Sequence, residues 1–340
     1  MSLSYIIALV GLWLGGVGNY LAAIIMLFAT VATLAEFVYY KEFLDPLFSK
    51  FDSRNIIGRI EPKKESQQSL IFSAHYDSPY VFHYLQNFQK HYIIILSITL
   101  LIYFFGVFLS IIAAVYQAQN TFPFIFGFTW KVAMTMGLIF IIPYYYFITD
   151  EVSPGAGDNL IAVSILLQLA EHFNKSENSL QHTELVFLIT DAEESGLRGA
   201  RAFVREHLKE LTSGIHYNYN MDSLFSADHL TFLTSDINNT VKLSRDLVEK
   251  AIRVADKLGY PTEKMNLPFG GGGTDAGEFA KVGIPAVSLI AMDTKFKSGL
   301  NPYHTRDDHT ENIDPTAVLA CLQIAHGFAC DIDNQHPPIL

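Results

Sequence analysis

The sequence predicts an α/β fold that is joined to membrane-spanning helices, and three observations support this prediction. Short apolar runs, such as residues 185–189 (Leu-Val-Phe-Leu-Ile), are typical of buried parallel strands. Longer segments with helical periodicity alternate with these runs, as in residues 160–173. Three further stretches are long, apolar and almost free of charge, and they cover residues 4–40, 91–116 and 122–148. About 20 consecutive apolar residues suffice for a helix to cross a bilayer.

The composition indicates that part of this chain contacts lipid. Of 340 residues, 50% are hydrophobic and 17% are charged, which is an apolar balance for a soluble enzyme. The net charge is -11 and no Lys/Arg cluster stands out, so nucleic acid is not an expected partner. The two cysteines, Cys321 and Cys330, form neither a disulfide framework nor a CxxC zinc pair.

The N-terminal stretch predicts a membrane anchor over residues 1–45. Residues 4–40 carry one charged side chain, Glu36, and are far too long for the apolar region of a signal peptide. They are also short for two complete spans. We expect one full span near residues 19–40 with a shorter apolar helix before it.

The other two apolar stretches predict a transmembrane hairpin over residues 91–149. Their one charge, Lys131, lies near a span end, where its side chain reaches the interface. A pair of buried core helices is the alternative. A hairpin returns the chain to the side that it left, so residues 46–90 and 150–335 form one aqueous domain of a multi-pass membrane protein. The positive-inside rule places that domain in the cytoplasm, because the loop on the opposite side has no Lys or Arg.

Polar residues follow three of the predicted strands. The run 69–74 ends on His75, with Asp77 two residues further on, which suits a metal ligand whose second nitrogen donates to an acceptor. Glu193 and Glu194 follow the run 185–189. Asp222 follows a third run, residues 215–221. Open α/β sheets place their sites at such strand ends, although acidic residues there also favour the N-terminus of the next helix.

The remaining segments complete the predicted order of elements. Asp158 follows a Gly-Ala-Gly turn and precedes a helix, where an N-cap is the alternative role. We predict a long amphipathic helix over residues 239–258, a last strand over 285–291 and a closing helix over 315–330. The glycine-rich loop 269–275 lacks the ending of a phosphate loop. His304 lies in the loop before the closing helix.

Taken in order, these motifs resemble those of the M28 family of zinc aminopeptidases. They are His75-x-Asp77, Gly-Ala-Gly-Asp158-Asn159, Glu193-Glu194-Ser-Gly-Leu, Asp222 and His304-x-x-x-Asp308. The resemblance implies a mostly parallel central sheet between helices and two zinc ions. It implies that His75 and Asp222 bind one ion, that Glu194 and His304 bind the other, and that Asp158 bridges them. In the family pattern Glu193 is the general base and Asp77 orients His75.

The residue chemistry agrees with this resemblance. Nitrogen and oxygen ligands suit zinc ions that keep a position open for water. Paired metals activate water and polarise a peptide carbonyl, and Glu193 fits the base that takes the proton. We therefore expect a membrane-anchored aminopeptidase that acts on short peptides and contacts lipid. One departure is the predicted hairpin, which separates Asp77 from Asp158, whereas the family usually has a short connection there.

Two other functions compete with this prediction. Glutaminyl cyclase shares the fold, resembles the chain at His75-Tyr76-Asp77-Ser78 and uses a single zinc ion. A non-catalytic peptidase-like domain for binding or scaffolding is the other alternative. The complete motifs around Asp158 and Glu193 favour the peptidase, and a binding domain would be expected to lose ligands. The number of zinc ions per chain distinguishes the two enzymes.

Overall fold

The computed structural model describes residues 1–121, 124–296 and 301–334. Its strands are β1 (Ile56–Ile60), β2 (Gln68–His75), β3 (Tyr80–Phe82), β4 (Ile148–Val152), β5 (Thr183–Thr190), β6 (His216–Leu224), β7 (Leu230–Asp236), β8 (Val241–Lys242), β9 (Glu263–Asn266) and β10 (Ala286–Ala291). Its α-helices are α1 (Ser2–Leu14), α2 (Val17–Thr33), α3 (His83–Phe88), α4 (Tyr92–Ala118), α5 (Phe124–Tyr144), α6 (Ile161–Phe173), α7 (Arg198–Glu206), α8 (Leu208–Ser213), α9 (Arg245–Leu258), α10 (Ala276–Lys281) and α11 (Pro315–Asp333).

One large sheet forms the centre of the aqueous domain. Its strand order is β1-β5-β2-β6-β10-β7-β8, and β9 pairs with β7. The inner strands β5, β2, β6 and β10 are parallel to one another, whereas β1 and β7 run antiparallel to their neighbours β5 and β10. Every residue of β2 is buried, as expected of a parallel strand that is covered on both faces. The predicted mostly parallel α/β sheet is confirmed.

Helices cover both faces of this sheet. On one face α6, α9 and α11 bury Phe173, Val248 and Phe328 in a cluster with Phe72 of β2. On the other face α7 and α10 bury Phe203 and Phe279 in a second cluster with strand residues of β2 and β5. The sheet therefore lies between two helical layers, and its strand ends are left free to form a site.

Several predicted boundaries differ from the structure. The predicted helix 239–258 is wrong in its first part, because Asn238 and Asn239 have φ values of 54° and 64° and turn the chain into β8. Asparagine tolerates this left-handed conformation, which a helix does not allow. Helix α9 begins only after Ser244, whose hydroxyl accepts from the Leu247 N–H at 3.4 Å. Asp222 lies inside β6, since that strand continues for two residues beyond it.

The apolar helices α1, α2, α4 and α5 pack together as a separate bundle. Tyr5 is fully buried among them, and its hydroxyl donates to the Met134 carbonyl at 3.0 Å. A Cβ atom on Gly18 of α2 would collide with the Gly11 carbonyl of α1, so these two helices touch through their backbones. Small residues at such crossings are typical of helices that associate in membranes.

Within the described residues, helices that are long and apolar enough to cross a membrane cover residues 17–38, 83–118, 127–144 and 315–333. The last of these is α11, which instead packs on the sheet with Ile324 and Phe328 fully buried. The other three lie where the long apolar stretches were predicted. The shorter helix expected before the first span is α1, and Gly15 and Gly16 form the turn after it with φ values of 70° and 54°. The predicted second hairpin span began at Phe122, which lies outside the described residues.

Candidate metal centre

The predicted site residues come together at one end of the sheet. Because β5, β2 and β6 are adjacent and parallel, their carboxyl ends lie side by side. His75 ends β2, the two glutamates follow β5, and Asp222 lies near the end of β6. Asp158 reaches the same point from the turn before α6, and His304 does so from the loop before α11. The site residues with less than a tenth of their surface exposed are His75, Asp158, Glu193, Asp222 and His304.

Asp158 lies between the two histidines. Its Oδ1 atom is 3.2 Å from His75 Nε2, and its Oδ2 atom is 3.1 Å from His304 Nε2. On one side Asp222 Oδ2 lies 3.9 Å from His75 Nε2, and on the other Glu194 Oε2 lies 3.5 Å from His304 Nε2. The carboxylate of Asp158 is therefore shared by two groups of possible ligands.

Both groups fit a metal ion. The first group is His75 with Asp158 and Asp222, and the second is His304 with Asp158 and Glu194. Within each group the ligand atoms all lie within 4.8 Å of one another. Three protein ligands are typical of catalytic zinc, which keeps its fourth position for water. The buried Oδ2 of Asp158 accepts no well-aligned hydrogen bond from any described residue, although His304 Nε2 is close by. A cation between these atoms would satisfy an oxygen that is otherwise costly to bury.

The carboxylate of Asp77 joins the two halves of the strand-end motif. Its Oδ1 accepts from the Glu193 N–H and its Oδ2 from the Glu194 N–H, both at 3.1 Å. The nearest partner of His75 Nδ1 is the main-chain oxygen of Asp77 at 3.0 Å, and the carboxylate Oδ1 lies at 3.4 Å. Asp77 therefore contacts His75 through its backbone more closely than through the side chain for which the orienting role was predicted.

Asp308 holds the turn that carries Asp158. Its Oδ1 accepts from the Gly157 N–H at 2.6 Å and its Oδ2 from the Asp158 N–H at 3.2 Å. Asn159 donates to the Met221 carbonyl at 2.9 Å, beside Asp222. The side chain of Asp158 makes no N-cap hydrogen bond to α6 and faces the histidines instead. The motifs contained Asp308 and Asn159, but sequence reasoning gave them no role.

Burial and crowding perturb the ionisation of the centre. Burial raises the pKa of Glu193 and of Glu194 well above their usual range, and neighbouring carboxylates add to the rise. Burial also raises the pKa of Asp222 to about 7. For Asp158 burial alone would raise the pKa, but the nearby imidazoles of His304 and His75 lower it. For His75 burial opposes the charged form, yet Glu193 and Asp158 raise its pKa well above 6.5. Such a cluster favours either bound protons or a cation.

Sequence reasoning missed two residues beside these ligands. Phe82 lies with its ring centroid 4.3 Å from that of His304, and its N–H donates to the His304 carbonyl at 2.9 Å. Asp275 is buried behind the centre and accepts a 2.5 Å hydrogen bond from Thr190. Neither contact has a local signal, because each joins segments that are distant in sequence.

Comparisons with known proteins agree with this geometry. The sequence model of peptidase family M28 matches residues 143–329. The chain is 25% identical over 192 residues to a vacuolar membrane protease of Phaeosphaeria nodorum, an alignment that covers 55% of this chain and 19% of that protein.

Solved structures share the fold at low sequence identity. LapB from Legionella pneumophila has a TM-score of 0.53 and 14% identity, covering 83% of this chain and 56% of its own. A zinc aminopeptidase from Bacillus subtilis has a TM-score of 0.50 and 20% identity, covering 82% and 49%. A glutaminyl cyclase from Bacteroides thetaiotaomicron has a TM-score of 0.52 and 15% identity, covering 82% and 77%. The chain thus spans about half the length of the zinc aminopeptidase that it resembles.

Proposed function

The chain belongs to peptidase family M28, and we propose that it is a membrane-anchored di-zinc aminopeptidase that removes N-terminal residues from short peptides. The observation that carries this proposal is the position of Asp158, whose two carboxylate oxygens face one histidine each. A carboxylate placed in this way serves two metal ions at once. The second histidine group offers a set of ligand atoms for a second ion.

The residues divide into ligands and a base. His75 and Asp222 would hold one zinc ion, Glu194 and His304 would hold the other, and Asp158 offers an oxygen to each. When bound, the ions would supply Lewis-acid activation of a water molecule and of the peptide carbonyl. Glu193 would act as the base that accepts a proton from the attacking water and passes it to the leaving amine. The hydrogen bond from the Glu193 N–H to Asp77 fixes the loop that carries this base.

The donor set of the centre favours a free N-terminus. Among the described residues, the ion pairs of the ligand carboxylates are made with His75 and His304, and no Lys or Arg nitrogen lies within 4.0 Å of them. A free substrate α-amine could therefore approach a bound metal ion or a nearby carboxylate without competing with a basic side chain. An N-acylated peptide lacks that amine and binds less well, which directs cleavage to N-terminal residues.

We further propose that this site lies close to lipid. We assign residues 1–45 to an anchor and 91–149 to an inserted hairpin, with residues 46–90 and 150–335 as the peptidase domain on the cytoplasmic side. The anchor ends beside the Glu193 loop. The paired strands β3 and β4, which flank the hairpin and which we call the hairpin base, contact His304 through Phe82. Peptides with apolar or membrane-proximal N-termini are therefore preferred over long folded chains.

Metal content and substrate selectivity together test this function. The full chain is purified in detergent, its zinc per chain is measured, and aminoacyl-coumarins are compared with their N-acetylated counterparts. We expect two zinc ions per chain and hydrolysis of the free N-termini only. Equal hydrolysis of blocked and free substrates would contradict an aminopeptidase.

Glutaminyl cyclase is the second candidate, because a solved cyclase shares the fold over 77% of its own length. A cyclase releases ammonia from peptides that begin with glutamine and leaves the peptide bonds intact. One zinc ion per chain, together with ammonia release from glutaminyl peptides, would replace the proposed function with this one.

A further inference from the structure

The end of the N-terminal anchor lies against the metal centre. After α2 the chain passes through the π-helical turn Leu34–Val38 and runs along the peptidase domain, and we call residues 36–45 the docking segment. Within it Tyr40 has a φ of 48°, which is unusual for a residue other than glycine. Its ring is partly buried against the domain.

The ring of Tyr40 is inserted between two loops of the site. A Cβ atom on Gly196, in the loop after Glu194, would lie 3.1 Å from Tyr40 Cδ1. A Cβ atom on Gly273, in the glycine-rich loop, would lie 3.0 Å from Tyr40 Cε2. Both distances are tighter than ordinary van der Waals contact, so the two glycines leave the space that the ring fills. The glycine-rich loop 269–275 thus forms one side of a slot for Tyr40.

Asn238 fixes the docking segment to the glycine-rich loop. Its side-chain amide donates to the carbonyls of Phe37 at 2.8 Å and Val38 at 3.2 Å. Its side-chain oxygen accepts from the Gly272 N–H at 3.1 Å, and its own N–H donates to the Gly272 carbonyl at 2.7 Å. One buried residue therefore joins the anchor to the loop on one side of Tyr40.

Helix α7, which follows the Glu193 loop, holds the other end of the docking segment. Arg198 makes a two-pronged ion pair with Asp45, and Arg201 lies 3.1 Å from Glu42. Partly exposed pairs of this kind contribute little individually. Together with the bonds of Asn238 they fix the chain on both sides of Tyr40, so the ring has a defined position.

Tyr40 lies near the carboxylates of the centre, because its ring contacts Gly196, two residues after Glu194. Burial raises the pKa of this phenol most, and the charges of Glu193, Asp236, Glu194 and Asp222 raise it further. The hydroxyl makes no hydrogen bond to any of the described residues. Tyrosine hydroxyls in such surroundings usually have a partner, so this one is free to meet a ligand or water.

We propose that Tyr40 is a substrate-contact residue, whose ring forms a wall of the cleft over the two glutamates and limits the size of the substrate residue that binds there. The inference rests on the proposed function, since it concerns the substrate of that same site. It assigns a part of the peptidase site to the membrane anchor. A residue that only wedges the two loops apart would affect all substrates alike.

Substrate ranking in the full chain tests this role. Alanyl-, leucyl- and phenylalanyl-coumarin are compared in the wild type, Tyr40→Ala, Tyr40→Phe and the control Tyr39→Ala, whose side chain is 50% exposed. In Tyr40→Ala we expect kcat/KM for the phenylalanyl substrate to rise roughly tenfold relative to the alanyl substrate, the scale by which a pocket discriminates side-chain size. Tyr40→Phe keeps the ring and the ranking, and Tyr39→Ala matches the wild type. Zinc per chain stays the same in all four proteins.

Binding without turnover separates this inference from the proposed function. The Kd values of alanine hydroxamate and phenylalanine hydroxamate are measured by calorimetry on the zinc-loaded chain, and the same relative shift is expected in Tyr40→Ala. If the wild type binds both probes but hydrolyses no aminoacyl substrate, the proposed function fails, while the ratio of Kd values still decides the role of Tyr40. An equal change for both probes, or a loss of zinc, overturns the role. Tyr40→Leu gives the same measurement where the alanine variant does not fold.

Discussion

Two connections to the apolar helices reach the metal centre, and they contact different parts of it. The docking segment meets the loop of Glu193 and Glu194 through Tyr40 and is held by hydrogen bonds and ion pairs. The base of the hairpin meets His304 through Phe82 and is held by aromatic contacts. One connection therefore borders the space above the centre, and the other contacts His304, which we propose as a metal ligand.

The hairpin base is built around Phe82. Its ring centroid lies 4.7 Å from that of Phe147, at the end of the hairpin, and 4.3 Å from that of His304. Strands β3 and β4 pair beside these rings, and Ser153 donates to the Thr305 carbonyl at 2.9 Å. Substitutions in the hairpin base should mainly change metal binding, whereas substitutions in the docking segment should mainly change substrate selection.

Asp158→Ala should have the largest effect, because both halves of the centre share this side chain. We expect loss of both zinc ions and of all turnover, measured as zinc per chain after dialysis and as hydrolysis of leucyl-coumarin. Asp256→Ala, which removes an exposed acid of α9, is the control. Loss of a single ion would show that Asp158 binds only one of the two ions. The two halves of the centre would then share no ligand.

Glu193→Gln tests the general base without changing the docking segment or the hairpin base. Turnover should fall by roughly 10²- to 10⁴-fold, the usual contribution of a general base, while zinc per chain stays unchanged. The amide retains the size and the backbone contacts of the glutamate. His75, Glu193 and Glu194 also have ligand atoms within 4.8 Å of one another, so a fall in zinc would identify Glu193 as a ligand.

Phe82→Ala tests the hairpin side alone. Removing the ring beside His304 leaves this imidazole less firmly held, and groups that orient a ligand typically contribute about 10- to 100-fold in metal affinity. We expect that loss for one of two zinc ions in a titration against a chelator, with the other ion unaffected. Phe88→Ala, on the partly exposed end of α3, is the control. Equal weakening of both ions would mean that the hairpin base supports the whole centre.

Asn238→Ala tests the anchor side and should have the smallest effect. It removes the side-chain bonds to the Phe37 and Val38 carbonyls and to the Gly272 N–H. The ion pairs of Arg198 and Arg201 remain, so we expect a combined loss of about 1 kcal/mol, which corresponds to roughly a fivefold rise in KM. Asn239→Ala carries the same left-handed backbone strain without those bonds and is the matched control. A change in zinc content in Asn238→Ala would show that the docking segment also affects metal binding. Equal effects of Asn238→Ala and Asn239→Ala would show that the bonds of Asn238 do not matter for substrate binding.

Much of the centre could be predicted because its residues follow local patterns. An apolar run that ends in a polar side chain gives the position of His75, Glu193 and Asp222, and adjacent parallel strands then bring these ends together. The apolar helices follow from composition alone. The family resemblance added the pairing of ligands, which no spacing in the sequence encodes.

The remaining features depend on contacts between distant segments. Tyr40 and Phe82 approach the centre only because two apolar segments pack near it, and the sequence has no pattern for that approach. The strands β1 and β9 are short and partly exposed, so they carry little periodicity and depend on pairing with β5 and β7. The predicted helix began at Asn239, which lies in a left-handed turn directly after Asn238, and the tertiary contacts of Asn238 fix that turn.

Under the proposed function, the two separate connections have a consequence for how this domain meets its substrates. A domain on a single flexible tether swings freely and samples a hemisphere above the lipid. A domain fastened at two places beside the same centre keeps its height and tilt when the bundle lies in a bilayer, and it moves only by lateral diffusion and by rotation about the membrane normal. Its encounters with lipid-associated peptides then occur in a thin layer. Their rate follows the number of peptides per unit of membrane area rather than the concentration in bulk solution.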